Sequence, residues 1–454
     1  MEFEKDVKKS IPMIILVFIS SATMLSVFNI ISPQLSIDYG IDSATVSLLS
    51  MVAMLMMGVA SVVYSTLSDY ISIRKLMLFG ITLLNIGAVL SFVFSGMNFY
   101  LLLCTVALMI FGGTCGSGLL IITVTRYLPE ENHAKYFGYN TACVSVSQAL
   151  GILVGGVVAT YIGWNYLFAI PLLSLIALPF IKKYIPDEKG IKKGKLDFIG
   201  LGLFTLFTLF ISLYFNLNQM MFLIISAIIL VLFIVYISKA KSPFIKIDFF
   251  KNTNFDIINV LALLVFGLQT AFSFLFPFMA QGIYGLSLDK ISLILLPSYI
   301  CAAFMGANSG KIVNKFGDYK ALLIAVLGGA CTSFIAAVVA DRGIIMLGIS
   351  AALFASSFAF MYAPFMKMVI GTLPMNMIGA GIGFFNLITG IGPSLFIVFT
   401  GKMMSTPQLA TSLGIVSREA SLFSNILLVY VVILVVVALV LLLKRKTFNK
   451  GGEK

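Results

Sequence analysis

Few residues of this chain could do chemistry, and their placement decides what kind. His133 is the single histidine and stands in a loop. Cys104, Cys115, Cys143, Cys301 and Cys331 all lie within apolar runs, and no two of them form a Cys-x-x-Cys pair. They read as small packing residues, with no metal site implied. None of the 18 Asp and Glu residues falls inside an apolar run; all stand in termini, loops or run ends. No phosphate-binding G-x-x-x-x-G-K-(S/T) loop and no H-E-x-x-H zinc motif is present. The chain therefore reads as no enzyme, with no cofactor. What remains is charge at turns. Ser65–Lys75 reads STLSDYISIRK, and Gly310–Lys320, beginning 245 positions later, reads GKIVNKFGDYK. Asp69 can hold backbone N–H groups at a helix N-terminus, and Arg74 can offer a planar fork to a carboxylate or to helix-end carbonyls. Lys75, and Asn314 and Lys320 in the second copy, complete this helix-end chemistry.

The elements that position these turns are membrane spans. Of the 454 residues, 60% are hydrophobic and 11% charged, with a mean hydropathy of +1.07. A soluble domain carries about 25% charge. Runs of about 20 apolar residues match a hydrocarbon core about 30 Å thick. Fourteen fit, near 11–33, 44–66, 76–97, 99–125, 137–162, 164–181, 197–216, 220–238, 256–280, 291–309, 321–340, 344–367, 377–400 and 421–443. They are expected to be helices, because a span must satisfy its own backbone polar groups. With the N-terminus inside, 26 Lys and Arg residues fall on the inner side and four on the outer. That asymmetry places both termini in the cytoplasm. The net charge of +12 is thus topological and implies no nucleic-acid partner. Trp164, the sole tryptophan, falls at an outer interface, where an aromatic anchor is expected.

The fold class is all-α and polytopic, arranged six, two, six: an N-terminal bundle over 1–181, a basic loop and two inserted helices over 182–255, and a C-terminal bundle over 256–454. The two turn copies join the second and third spans of each six. A weaker echo opens the fifth spans, Phe137-Gly138-Tyr139-Asn140 against Gly383-Phe384-Phe385-Asn386. Repeated halves in a polytopic chain point to a secondary transporter.

The first turn resembles the loop motif of the major facilitator superfamily, G-x-L-(A/S)-D-x-x-G-x-(K/R)-(K/R). Leu67, Ser68, Asp69, Arg74 and Lys75 fit, while Ser65 and Ser72 stand where glycine is usual. The whole chain is similar to the fourteen-span drug:proton antiporters, and most to Gram-positive tetracycline-efflux proteins, through YSTLSDYISIRKLMLFG at 64–80, TRYLPEENHAKYFG at 125–138 and GGVVATYIGWNYLFAIPLL at 155–173. The resemblance implies a bacterial cytoplasmic-membrane exporter of amphipathic drugs. It would work as a monomer in the lipid bilayer, by alternating access and proton antiport, with the two turns as its latch. The other reading is a carrier of a metabolite or lipid-like molecule without proton coupling. The family's fifth-span motif, G-x-x-x-G-P-x-x-G-G, is matched by Gly151, Gly155 and Gly156, with Ile152 in place of proline.

Departures from the family concern the proton. Relatives carry a carboxylate in the first span, where Leu25 stands here, and an arginine in the fourth, where Val106 stands. Without a buried acid, coupling falls to Asp38, Asp256, Asp69 or the cargo itself. If the fold holds, Asn29, Asn140, Gln148, Asn259, Gln269, Tyr299, Tyr362 and Asn386 line the cavity. Prolines 33, 277, 297, 364 and 393 are expected to break spans and free carbonyls. Neutral amides, aromatics and methionines suit a flat, amphipathic small molecule. Lys367, near the inner end of its span, either snorkels to the interface or meets an anionic ligand.

Overall fold

The computed structural model describes residues 4–68, 70–129, 133–188, 197–217, 219–240, 252–373 and 378–448. Among them every regular element is helical. The first six are α1 (Glu4–Tyr39), α2 (Ser43–Leu67), α3 (Ile73–Phe94), α4 (Phe99–Tyr127), α5 (His133–Tyr161), and a 3-10 stretch Trp164–Ile176 that runs into α6 (Ala177–Tyr184). Next come α7 (Phe198–Leu217) and α8 (Met220–Lys239). The last group is α9 (Thr253–Tyr284), α10 (Leu288–Phe316), α11 (Asp318–Val339), α12 (Ile344–Ala359), α13 (Tyr362–Gly371), α14 (Ile378–Met404), α15 (Ser421–Leu443) and α16 (Arg445–Phe448). Among the described residues, thirteen helical stretches are long and apolar enough to cross a membrane. The remaining expected span corresponds to α7, of which Phe198–Ile211 forms a shorter apolar stretch that is not among the thirteen.

The chain forms two compact units, one of Met1–Ile31 and Val52–Phe198, the other of Ser32–Met51 and Ile199–Lys454. Each is built on the same helix pairs. In the first, α3 packs on α4 and on the 3-10 stretch; in the second, α11 packs on α12 and on α15. Polar side chains fasten these pairs where hydrocarbon offers no hydrogen bonds. Asn85 donates to Ser174 at 2.9 Å in the first unit, and Ser424 donates to the Ala337 carbonyl at 2.8 Å in the second. The second and fourth spans meet where Tyr64 Oη approaches the Gly112 carbonyl at 3.4 Å, and α10 packs on α12 in the other unit.

The closest approaches are made by glycine. In α5, Gly151 lies against the Thr23 carbonyl of α1, with Ser26 Cβ 2.8 Å from where its own Cβ would stand. One turn on, the same construction at Gly155 meets Ile30 at 2.7 Å. The small-xxx-small face expected of the fifth span is thus a contact with the first. The counterpart is the α9–α14 pair, where a Cβ on Gly392 would lie 2.5 Å from the Leu263 carbonyl oxygen. Gly156 is buried, and its carbonyl accepts the Thr160 hydroxyl at 2.8 Å.

Of the prolines expected to interrupt spans, one does. Helices α1, α9, α10 and α14 run through Pro33, Pro277, Pro297 and Pro393 without a break. Packed neighbours make up for the missing N–H. The exception is the twelfth span, where Phe360 and Met361 separate α12 from α13. Pro364 cannot donate to the carbonyl of Phe360, four residues earlier, and its ring would clash with it.

Glycine-to-alanine changes should separate tight from loose sites. Gly151→Ala and Gly392→Ala should each cost about 1–3 kcal/mol by overpacking and lower the unfolding temperature of the purified protein in detergent. Gly306→Ala, whose Cβ would meet nothing nearer than 3.7 Å, should leave it unchanged. Equal behaviour of all three would remove the packing account.

Candidate functional site

The two turns solve one problem with different backbones. In the first, α2 ends through bonds from Tyr70 N and Ile71 N to the Leu67 carbonyl, at 2.9 and 2.8 Å. Ser72 then caps α3 at φ −54°, its hydroxyl accepting from Lys75 N at 3.4 Å. An L-residue fits that φ at no cost, so serine replaces the usual glycine and gains a cap. In the second turn, Gly317 sits at φ +78° between α10 and α11 with nothing within 4 Å of its added Cβ. That conformation favours glycine.

The expected latch residues are placed as follows. Asp69 lies outside the described residues. Arg74 is half-buried in the first turn of α3. Lys75 reaches Asp187, beyond α6, at 3.8 Å, with both side chains substantially exposed; such pairs contribute little. Asn314 belongs to α10, and its side chain lies outside the description. Lys320 is exposed in the first turn of α11.

Two contacts that sequence reasoning missed fasten these turns. Arg126, at the end of α4, donates Nη1 to the Ser68 carbonyl at 3.0 Å. Lys367 of α13 pairs with Asp318, the first residue of α11, at 3.5 Å. Each joins a basic residue near the end of a unit's fourth span to that unit's turn. This acid sits four positions past Asn314, across the Gly317 turn and at the start of the next helix, which is why alignment to the motif did not find it. Lys367 therefore meets a protein carboxylate at a helix end.

The polar residues expected to line a cavity divide. Asn259 is 3% exposed and donates Nδ2 to the Phe255 carbonyl one turn earlier in α9 at 2.8 Å, while its Oδ1 is buried without a hydrogen-bond partner. Asn29 is likewise buried in α1. Gln148 and Gln269 are half-buried on α5 and α9, and the Asn140 carboxamide oxygen is buried without a hydrogen-bond partner. Tyr299 donates to Ser273 Oγ at 3.4 Å, joining α10 to α9. Tyr362 and Asn386 are exposed, and Tyr362 Oη donates to Asn386 Oδ1 at 3.3 Å. Behind them the rings of Phe266 and Phe385 stand 6.1 Å apart at 83°. Tyr362 lies 6.0 Å from the first ring and 5.8 Å from the second.

Away from the turns, Asp42 precedes α2. It accepts Thr45 N at 2.9 Å and Ser405 Oγ at 2.9 Å, while Ser43 Oγ reaches the Gly401 carbonyl at 3.2 Å. Burial pushes the Asp42 carboxyl up, but the hydrogen bonds from Thr45 and Ser405 and the Lys402 charge outweigh it, so its pKa lies below the ordinary carboxylate value. Asp38 accepts Gln34 Nε2 at 2.7 Å, and Asp256 lies in the first turn of α9. Among the described residues no His, Cys, Asp and Glu gather as a metal site.

The comparisons with known proteins agree with this architecture. The riboflavin transporter RibZ of Clostridioides difficile is 24% identical over 401 residues, covering 84% of this chain and 86% of that protein. The quinolone resistance protein NorB of Staphylococcus aureus is 24% identical over 83% of this chain and 84% of its own length. Multidrug resistance protein 3 of Bacillus subtilis is 27% identical, over 58% of this chain and 53% of that one. Among solved structures the fold is shared with the POT family transporter PepTSo, at a TM-score of 0.73 and 13% identity over 97% of this chain and 98% of that one. The nucleoside transporter NupG matches at 0.70 and 13% identity, over 96% and 99%. Residues 14–397 match the model of the Major Facilitator Superfamily, and the chain belongs to that family of membrane transporters.

Proposed function

We propose that the chain is a fourteen-span exporter of flat amphipathic drugs, tetracycline-like or multidrug, working as a monomer by alternating access and proton antiport. Its spans are arranged six, two, six in a bacterial cytoplasmic membrane with both termini inside. The observation that carries this reading is the repeated fastening: Arg126 on the first turn and Lys367 on the second, each from the fourth span of its own unit. A static protein has no need of two such devices at corresponding places, whereas bundles that rock as bodies must keep their moving ends rigid. The names of the relatives, multidrug and quinolone resistance proteins, support drug as cargo. A metabolite carrier is the second reading, favoured by the riboflavin transporter that matches 84% of the chain.

Expression in an efflux-deleted host tests the cargo. The chain should raise resistance to at least one flat hydrophobic drug, and the gain should vanish when the proton gradient is collapsed. Resistance unaltered across the panel would leave the carrier reading in place.

The fastening makes its own prediction. Lys367→Met should slow transport severalfold with insertion intact, and the exchanged pair Lys367→Asp with Asp318→Lys should restore part of it. A fully active Lys367→Met protein would dispose of the idea.

For the proton, the depressed Asp42 pKa fixes a sign. The ionised contact with Ser405 holds above the ordinary carboxylate pKa and is lost only as pH falls through the lowered value. Asp42→Asn should therefore slow transport without changing the shape of its pH profile between about pH 6 and 8. A changed shape there would make Asp42 the proton carrier.

A further inference from the structure

Helices α9, α13 and α14 bring together a set of groups that packing alone does not explain. Phe385 and Phe365 are fully buried, and Phe266 is 8% exposed. They form a floor in which Phe266 lies 5.8 Å from Phe365 and 6.1 Å from Phe385. Tyr362, 45% exposed, and Asn386 stand at its rim, joined by their 3.3 Å hydrogen bond. Asn386 is eight residues into α14, about 12 Å along its axis, and Tyr362 is nine residues from the far end of α13, about 14 Å. Both therefore lie more than two helical turns from those helix ends, on helices that belong to candidate membrane spans.

A hydroxyl and a carboxamide exposed at that depth are costly against lipid. The same two groups on the rim of a binding surface are useful. Tyr362 has committed its proton to Asn386 Oδ1, which leaves Tyr362 Oη as an acceptor and Asn386 Nδ2 as a donor. The two open valences are adjacent and opposite in sense. No charged side chain belongs to the set; Lys367, on the same ten-residue helix, is taken by Asp318.

We infer that Tyr362, Asn386, Phe266 and Phe385 form a binding subsite for an uncharged planar ring that carries a carbonyl beside an N–H or O–H, as in a lactam, an imide or an enolised ketone. The ring packs edge-on or offset against Phe266 and Tyr362. Its carbonyl accepts from Asn386, and its N–H or O–H donates to Tyr362. The set supplies no side chain of opposite charge to pair with an ionised group, so an ionised group of the cargo is expected at its other end. The inference rests on the transport reading above and supplies the chemical class of the cargo.

The test uses the full chain, purified and placed in liposomes, with riboflavin and N3-methylriboflavin as probes and quenching of flavin fluorescence as the readout. The two differ in one imide N–H. Wild type should bind riboflavin about tenfold more tightly, the loss expected when one enclosed hydrogen bond goes unmade. Tyr362→Phe, which keeps the ring, should weaken riboflavin about tenfold and leave the methylated probe unchanged. Asn386→Leu should weaken both, because both keep the carbonyl. Unfolding temperatures of the variants, measured alongside, should match wild type. Equal affinity of wild type for the two flavins, or equal loss of both in Tyr362→Phe, overturns the subsite. So does a wild type that binds neither flavin yet exports a drug of the panel, an outcome that leaves the transport reading standing. Binding with the expected pattern but no transport supports the subsite and removes the exporter.

Discussion

Close contact between helix backbones is the interaction on which both units depend. Helices surrounded by lipid gain nothing from hiding apolar surface against each other, so they associate through dense van der Waals contact. Glycine permits this where the fifth span of each half meets the first: Gly151 and Gly155 against α1, Gly392 against α9. The same device recurs between α3 and α4, where a Cβ on Gly87 would lie 2.5 Å from Met109 Cα. Packed this tightly, a unit deforms with difficulty and moves more readily as a body. Alternating access, as proposed, asks for such bodies.

Rigidity of the bundles transfers the demand to their ends, and there the duplication has diverged. The first copy of the turn uses Ser72 as a cap in an ordinary backbone conformation; the second uses Gly317 at positive φ. The first is held through a carbonyl, by Arg126, and the second through a carboxylate, by Lys367. What was kept is the arrangement of a basic side chain on the fourth span that restrains the link between the second and third. What was free to drift was the chemistry of the group it grips. Arg126 reaches its carbonyl with one guanidinium N–H, and Lys367 meets its carboxylate as a point charge.

How much of this the sequence discloses depends on how local the cause is. Span positions were legible because hydrocarbon thickness fixes their length, and the glycines of α5 were legible because their four-residue spacing is itself the contact face. The break in the twelfth span could be read from Pro364, but the same rule failed at Pro277, Pro297 and Pro393. A proline removes one hydrogen bond wherever it stands, and whether the helix then parts depends on neighbours the sequence does not name. Contacts between distant segments were silent. Asp42 and Ser405 are 363 positions apart, and neither lies in a motif. Lys367 carried a partial signal, a cation near a span end, but its partner stands four positions past the one the motif assigns, on the far side of the Gly317 turn.

The division of charge is the last constraint, and it joins the site to the mechanism. Hydrocarbon penalises an unpaired charge heavily and a paired neutral polar group much less. In the described structure, ion pairs and charged hydrogen bonds accordingly stand at helix ends, at Asp42, Arg126, Asp318 and Lys367. The Tyr362–Asn386 pair of the second unit sets a hydroxyl and a carboxamide over aromatic rings, with no charged side chain in that set. Tyr362 opens α13 just after the break, and Lys367 follows about one and a half turns later on the same helix. A body as short as α13 cannot shift at one end and stay fixed at the other. The neutral pair and the charged end are therefore mechanically one piece, although no charge has had to enter the membrane to connect them.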